Sequence, residues 1–155
     1  MYIKIYYIIY YIFRMSLDIN KLLNALENDD NASIMEIDYA KMASIKNDIL
    51  QKLQLPKEKL KTLHKQLKEY RYVDNIDAIR YGSYIRWIPL KNPNEIKLTN
   101  GGIICDMKAK DESVIITCKN RMNRFFNLKL EECMIFQKLT TQEEVILSAM
   151  KFLTK

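Results

Sequence analysis

Lysine, arginine and tyrosine are the residues of this sequence whose number and position most directly indicate a chemistry. Residues 80–139 contain eleven Lys and Arg against six Asp and Glu, whereas residues 15–79 contain ten against eleven. Each cation that neutralises a phosphate releases counterions, and an exposed aromatic ring stacks on an unpaired base. The pattern therefore predicts a nucleic-acid-binding surface in the second half of the chain. The predicted contacts are the cations Arg86, Lys108, Lys119, Arg121 and Arg124, with the ring of Tyr84 for stacking.

The other aromatic residues of this segment have competing uses. Along an alternating strand Trp87 lies on the face opposite Tyr84, which predicts a core position for Trp87. Phe125 and Phe126 point to opposite faces for the same reason, so only one of them is expected to be available to a ligand. An aromatic cage for a methylated lysine is the alternative use of such rings. Its members would be Tyr81, Tyr84 and Phe126, with Asp106 as the acid.

Catalytic and metal-binding patterns are weak in this chain. His64 is the only histidine and falls within a predicted helix, and no G-x-S-x-G motif is present. Cys105, Cys118 and Cys133 are too widely spaced for a zinc ribbon and fit small buried side chains in a reducing compartment. A site of three thiolates and the His64 imidazole is the alternative. We therefore predict no enzyme, no metal site and no cofactor.

Three helices are predicted before residue 72, because apolar residues recur there at helical spacing. The first ends near Asn28. The second runs from a capping box of Ser33 and Glu36 to about residue 53, and Pro56 ends it and begins the third. The predicted buried positions are Ile19, Leu22, Leu23, Leu26, Ile37, Ile45, Ile49, Leu53, Leu60, Leu63, Leu67 and Tyr70. Residues 15–72 are expected to form a helical hairpin or arm.

From residue 80 the apolar residues alternate, which predicts strands. The five candidate segments are YGSYIRWIPL, GGIICDMK, SVIITCK, RFFNLKL and MIFQKL. Asn100-Gly101 predicts a tight hairpin, because both residues tolerate positive φ, and Thr141 with Glu144 predicts a capping box for a closing helix. The expected fold is α+β: a helical hairpin, then a small five-stranded SH3-like or Sm-like barrel with a C-terminal helix over residues 80–155.

The first fourteen residues, MYIKIYYIIYYIFR, contain five of the ten tyrosines. Their apolar run is shorter than the ~20 residues of a membrane span, and it lacks the small-residue cleavage site of a signal peptide. We therefore predict no membrane span. Met15 followed by Ser16, a good N-cap, favours the interpretation that residues 1–14 are an upstream extension or a disordered tail. An interfacial membrane anchor is the alternative.

A resemblance adds to these patterns. The segments EYRYVDNIDAIRYGSYIRWIPL, KLTNGGIICDMK and FFNLKLEECMIFQKLT, together with abundant Ile, Lys, Asn and Tyr, resemble a group of uncharacterised proteins of giant DNA viruses related to mimivirus. The resemblance covers about residues 69–150 and includes no catalytic motif. It implies a viral protein of the host cytoplasm or the virion, and it transfers no active residue.

Two functions are therefore expected from the sequence. The first is a non-enzymatic nucleic-acid-binding module that uses the basic strands. The alternative is a protein-interaction or virion-assembly module, in which the helices pair with a partner protein or with a second copy of the chain and form a homo-oligomer.

Overall fold

The structure is a computed structural model that describes residues 2–14, 19–35 and 37–153. Its helices are α1 (Tyr2–Arg14), α2 (Ile19–Glu27), α3 (Tyr39–Gln51), α4 (Lys57–Gln66) and α5 (Thr141–Leu153). Its strands are β1 (Tyr70–Val73), β2 (Tyr84–Pro89), β3 (Gly102–Lys110), β4 (Ser113–Lys119), β5 (Phe125–Lys129) and β6 (Cys133–Lys138). The chain divides into two compact units, one of residues 44–138 and one of residues 1–43 with 139–155.

The unit of residues 44–138 is built on one antiparallel sheet with the strand order β1-β6-β2-β3-β4-β5. The predicted α+β class is confirmed, but the closed five-stranded SH3-like or Sm-like barrel is wrong. The sheet has six strands and is open, with β1 and β5 at its edges. The strand that the prediction lacks is β1, because Tyr70 follows Leu67 at helical spacing and this extends the apparent third helix into the strand. All four residues of β1 pair with β6. Strand β1 therefore forms an edge of the sheet and does not close the sheet into a barrel.

One face of the sheet carries the larger core of this unit, and all six strands contribute to it. Its buried residues are Val73, Ile79, Ile85, Trp87, Ile104, Ile116, Cys118, Leu128 and Ile135. Trp87 therefore occupies the core position that its place in the alternation predicts. The buried Gln137 amide crosses this face: its Oε1 accepts from the Arg80 N–H at 3.0 Å, and its Nε2 donates to the Ala78 carbonyl at 2.9 Å. These two bonds fasten the β1–β2 connection to the sheet.

The opposite face is covered over half of the sheet. Helices α3 and α4 pack there on β1, β6 and β2, in a cluster of Leu50, Leu63, Leu67, Ile88, Leu98, Met134 and Phe136. The buried Lys46 of α3 donates through Nζ to the Leu67 carbonyl at 2.8 Å and to the Tyr70 carbonyl at 3.0 Å, which joins the end of α4 to the start of β1. On β3, β4 and β5 the same face is open, and Ile103 and Phe125 are exposed there.

The turns differ from the sequence prediction at one hairpin. Asn100-Gly101 does not form a tight hairpin, because it ends a long connection, residues 90–101, between β2 and β3. Gly101 has a φ of +90°. The tight hairpin of the sheet joins β3 to β4 through Asp111 and Glu112, whose φ angles of 50° and 64° are the positive pair that a two-residue turn requires.

The other unit contains α1, α2 and α5. Its core consists of Ala25, Ile34, Met42, Leu139, Ile146 and Leu147. Helix α5 begins with a capping box one residue earlier than predicted: the Glu143 N–H donates to Thr140 Oγ1 and the Thr140 N–H donates to Glu143 Oε1, both at 3.1 Å. Both partners of this box precede the predicted pair of Thr141 and Glu144 by one position.

The second predicted helix begins later than the sequence predicts. It begins at Tyr39, because Ser33 lies in a 3₁₀ turn over Asp29–Ile34 that Asn28 caps. Glu36, the other half of the predicted capping box, and the N-cap candidate Ser16 lie outside the described residues. Leu23, Leu26 and Ile45, all predicted to be buried, are exposed. Residues 2–14 form α1. Within the described part of the chain no helix has both the length and the apolar character to cross a bilayer.

Candidate nucleic-acid interface

A cleft of about 440 Å³ opens on the sheet face that α3 and α4 cover only in part. Two tyrosines, two arginines and the residues of two loops line it: Tyr70, Tyr84, Arg86, Asn100, Gly101, Asn120, Arg121 and Met122. Among the described residues, this lining includes no Asp or Glu. Three of the six residues that the sequence predicts for binding, Tyr84, Arg86 and Arg121, are therefore brought into one concave site.

Strand β2 and the loop before β3 hold two of these side chains in place. Tyr84 and Arg86 are two residues apart on β2 and so share a face of the sheet. The Tyr84 hydroxyl donates to the Asn100 carbonyl at 2.6 Å, and Arg86 Nε donates to the Thr99 carbonyl at 2.8 Å. The bond at Nε orients the guanidinium and leaves its two terminal nitrogens for a ligand.

Gly101 allows the loop to approach these side chains. A Cβ at this position would overlap the Ile85 carbonyl oxygen and would lie 2.9 Å from Arg86 Cγ and 3.0 Å from Tyr84 Cε1. Only a glycine therefore fits against both cleft residues, and its positive φ also favours glycine.

The β4–β5 turn positions Arg121. The Asn120 side chain accepts from the backbone N–H groups of Met122 and Arg124, both at 2.9 Å, and the Asn120 N–H donates to the Arg124 carbonyl at 2.9 Å. Asn123 adopts a φ of 59°, a conformation that asparagine tolerates better than most residues. The turn sequence NRMN thus forms an asparagine-anchored loop that places Arg121 at the wall of the cleft.

The remaining predicted cations lie at different distances from the cleft. Lys119 lies directly beside Ile103 and Phe125 in the register, and its Nζ is 5.9 Å from the centroid of the Phe125 ring. Arg124 is exposed on the same turn as Arg121. Lys108 lies elsewhere: it pairs with Ile115, which is four residues from Lys119 along β4, about 13 Å at strand spacing.

Neighbouring carboxylates neutralise some cations of this unit and leave others. Lys108 Nζ lies 3.5 Å from Asp106, and Lys91 and Lys129 lie 3.3 Å and 3.9 Å from Glu132. Within the described residues, Arg86, Lys119, Arg121 and Arg124 form no ion pair with an acid. The cations in and beside the cleft are thus among those that no acid neutralises.

The charges of the cleft act on the phenol of Tyr70. Burial raises the pKa of Tyr70 and is the largest influence, while the positive charges of Arg86 and Arg121 oppose it. Tyr84 and Glu69 raise the pKa of Tyr70 further. Both arginines therefore lie within electrostatic reach of the Tyr70 phenol.

Five residues of the cleft are not predicted from the sequence: Tyr70, Asn100, Gly101, Asn120 and Met122. Tyr70 fits a helical stripe, and the two asparagines look like ordinary turn residues. One pattern in the sequence indicates a structured loop at Arg121: Asn120 and Asn123 flank this residue in a short polar turn between two strands.

The residues of the two alternative sites, the aromatic cage and the metal site, do not lie together in the structure. Tyr84 lines the cleft, whereas Phe126 lines a separate apolar hollow of about 330 Å³ with Trp87, so they do not form one cage. Asp106 is paired with Lys108. In the part of the chain that the structure describes, no three His, Cys, Asp or Glu side chains are grouped to hold a metal ion. Burial raises the pKa of Cys118 to about 12 and partial burial raises that of Cys133 to about 11. The prediction of a buried side chain is wrong for Cys105, which is exposed.

No protein-family model, curated protein or solved structure matches this chain. The resemblance to giant-virus proteins stays a prediction.

Proposed function

We propose that this protein is a non-enzymatic nucleic-acid-binding module whose contact surface is the cleft. The observation that carries the proposal is the convergence of two arginines and two tyrosines on one concave site without a carboxylate in its described lining. These residues come from β1, β2 and the β4–β5 turn, so the fold creates a site that no contiguous segment contains.

The chemistry of the cleft matches a nucleotide unit. A guanidinium presents a planar set of donors that fits two phosphate oxygens, and Arg86 is held for this by its bond to the Thr99 carbonyl. The Tyr84 ring offers an apolar face to a base while its hydroxyl is engaged with the Asn100 carbonyl. The amides of Asn100 and Asn120 add polar groups at the rim.

A fluorescence-anisotropy titration tests this proposal. Labelled single-stranded and duplex oligonucleotides are titrated at about 50 mM and 200 mM salt, and binding should be clear at the lower concentration and much weaker at the higher one. Arg121→Ala should weaken binding about tenfold, as expected for the loss of a hydrogen bond to a charged group of ~1.5 kcal/mol.

Lys108→Ala is the matched control, because it removes the same charge from the same unit at a position outside the cleft. It should leave the affinity within about twofold, in line with a screened surface charge. Absence of binding at low salt, or equal effects of both variants, would contradict the proposal.

A second candidate function is self-association through α1. The described side chains of this helix include exposed Tyr2, Ile3, Tyr6, Tyr7 and Tyr10. A helix that exposes large apolar residues over several turns is typical of one that pairs with another copy. Sedimentation equilibrium of the full chain should give a dimer mass that Ile3→Glu with Tyr7→Glu reduces to a monomer, and a monomeric parent protein would contradict this function.

A further inference from the structure

The register of the sheet places six side chains in one row across all six strands. Tyr70 pairs with Lys138, Tyr84 is the next position beyond the Ile85–Gln137 pair and so lies beside Lys138, and Tyr84 pairs with Ile103. Ile103 pairs with Lys119, and Lys119 pairs with Phe125. Directly paired residues project from the same face of a sheet. The transverse row, Tyr70–Lys138–Tyr84–Ile103–Lys119–Phe125, therefore lies on the face that holds the cleft.

This row is accessible beyond the cleft. Phe125 is 65% exposed and Ile103 is 48% exposed, and Lys138 is exposed between the two tyrosines. No helix of the unit of residues 44–138 covers this face on β3, β4 and β5, so within this unit the row extends from the cleft to the β5 edge without interruption.

Rings and cations follow one another along the row. A phenol is followed by an ammonium, a second phenol, an aliphatic side chain, an ammonium and a phenyl ring. A nucleic-acid strand has the complementary order, with bases that stack on rings and phosphates that bind cations. Within the described residues, neither Lys119 nor Lys138 is paired with an acid. Lys119 instead lies over the Phe125 ring, a weak surface cation–π contact that a phosphate can replace.

We propose, resting on the proposed function, that the ligand is a single strand of nucleic acid that lies across the strands along the transverse row. Three strand spacings separate Tyr84 from Phe125, about 14 Å along the sheet. Bases that stack on protein rings are not stacked on one another, so the strand is more extended than the ~3.4 Å per nucleotide of a base-stacked helix, and fewer than about four nucleotides span this distance. One end of the strand occupies the cleft, and a base fewer than about four nucleotides away stacks on Phe125. A duplex keeps its bases paired and stacked inside the helix, so the rings of the row do not reach them.

The test uses the full-length protein and two oligothymidylates, a dinucleotide that fits the cleft alone and an octanucleotide that reaches Phe125. Phe125→Ala is compared with Phe126→Ala, the neighbouring exposed phenylalanine on the opposite face. Phe125→Ala should weaken octanucleotide binding at least about fivefold, because one stacking contact with a base is lost. It should leave dinucleotide binding unchanged, because the dinucleotide does not reach Phe125. Phe126→Ala should change neither affinity. The parent protein should bind the octanucleotide more tightly than a duplex of equal length.

The outcomes separate this inference from the proposed function. If Phe125→Ala leaves octanucleotide binding unchanged while Arg121→Ala weakens binding of both lengths, the transverse path is wrong and the cleft remains the binding site. Equal affinity for single strand and duplex also overturns the transverse path. If neither length binds at low salt, the proposed function fails and the inference fails with it.

Discussion

Substitution of Gly101 by alanine tests how the cleft is assembled. Gly101 and Gly82 both have positive φ, +90° and +78°, but their surroundings differ. A Cβ on Gly82 meets no heavy atom within 4 Å, whereas a Cβ on Gly101 meets the Ile85 carbonyl oxygen and the side chains of Tyr84 and Arg86. The destabilisation by Gly82→Ala therefore reports backbone strain alone. The destabilisation by Gly101→Ala reports the same strain plus the steric overlap of the new methyl group with its neighbours.

The two costs differ in size. A non-glycine residue at positive φ costs about 1–2 kcal/mol, which is the expected decrease in the free energy of unfolding for Gly82→Ala. Forcing an extra atom into a packed position costs about 1–3 kcal/mol more. Gly101→Ala should therefore lower the free energy of unfolding by about 2–5 kcal/mol. The overlap with the Ile85 carbonyl favours the upper part of that range, because this oxygen belongs to a central strand and cannot move aside easily.

Urea unfolding of both variants, with oligonucleotide binding measured on the folded fraction, provides the assay. Gly101→Ala should have the lower midpoint and should also bind more weakly, because Tyr84 and Arg86 must shift to admit the new methyl group. Gly82→Ala should bind like the parent protein. Equal destabilisation by the two substitutions, or unchanged binding by Gly101→Ala, would refute the close approach that we assign to Gly101.

Three further predictions concern the rest of the fold. Burial lowers the pKa of Lys46 from its model-compound value of 10.5, so the unfolded chain binds more protons than the folded one between the two pKa values. The free energy of unfolding should therefore rise with pH between these two pKa values relative to that of Lys46→Met, and parallel pH profiles in urea titrations would contradict the assignment. Thr140→Ala removes the cap of α5 and should lower the free energy of unfolding by about 1 kcal/mol in thermal melts; no change would show that the box contributes nothing. In native protein iodoacetamide should label the exposed Cys105 and leave Cys118, whose burial raises its pKa to about 12, unlabelled by mass spectrometry until denaturant is added; rapid native labelling of Cys118 would contradict its burial.

The sequence predicts the helices and strands of this fold more accurately than it predicts whether the sheet is open or closed into a barrel. Pro56 marks the start of α4, and alternation places Trp87 in the core. Tyr70, by contrast, satisfies both a helical stripe and a strand, and only pairing with β6, more than sixty residues away, decides between them. Whether the sheet closes depends on such distant edge pairing, which no local pattern contains.

In the candidate site, too, local patterns predict some neighbours, and the register between distant strands decides the others. Alternation identifies Tyr84 and Arg86 as neighbours on one face, but the approach of Arg121 to them depends on the register of β3 and β4. Sequence reasoning groups Lys108 with Lys119 because both are cations of the basic segment of residues 80–139. Their separation along the strand and the pairing of Lys108 with Asp106 become visible only in three dimensions.

The salt dependence of binding is the most direct test of a phosphate-binding cleft. The observed association constant of a single-stranded oligonucleotide is measured over a range of salt concentrations for the parent protein, Arg121→Ala and Lys108→Ala. A contact of Arg121 with a phosphate predicts that its loss reduces the slope of log K against log salt by about 1, with the slope of Lys108→Ala unchanged. A slope that Arg121→Ala leaves unaltered, or an affinity that does not respond to salt, would contradict the role assigned to the cleft.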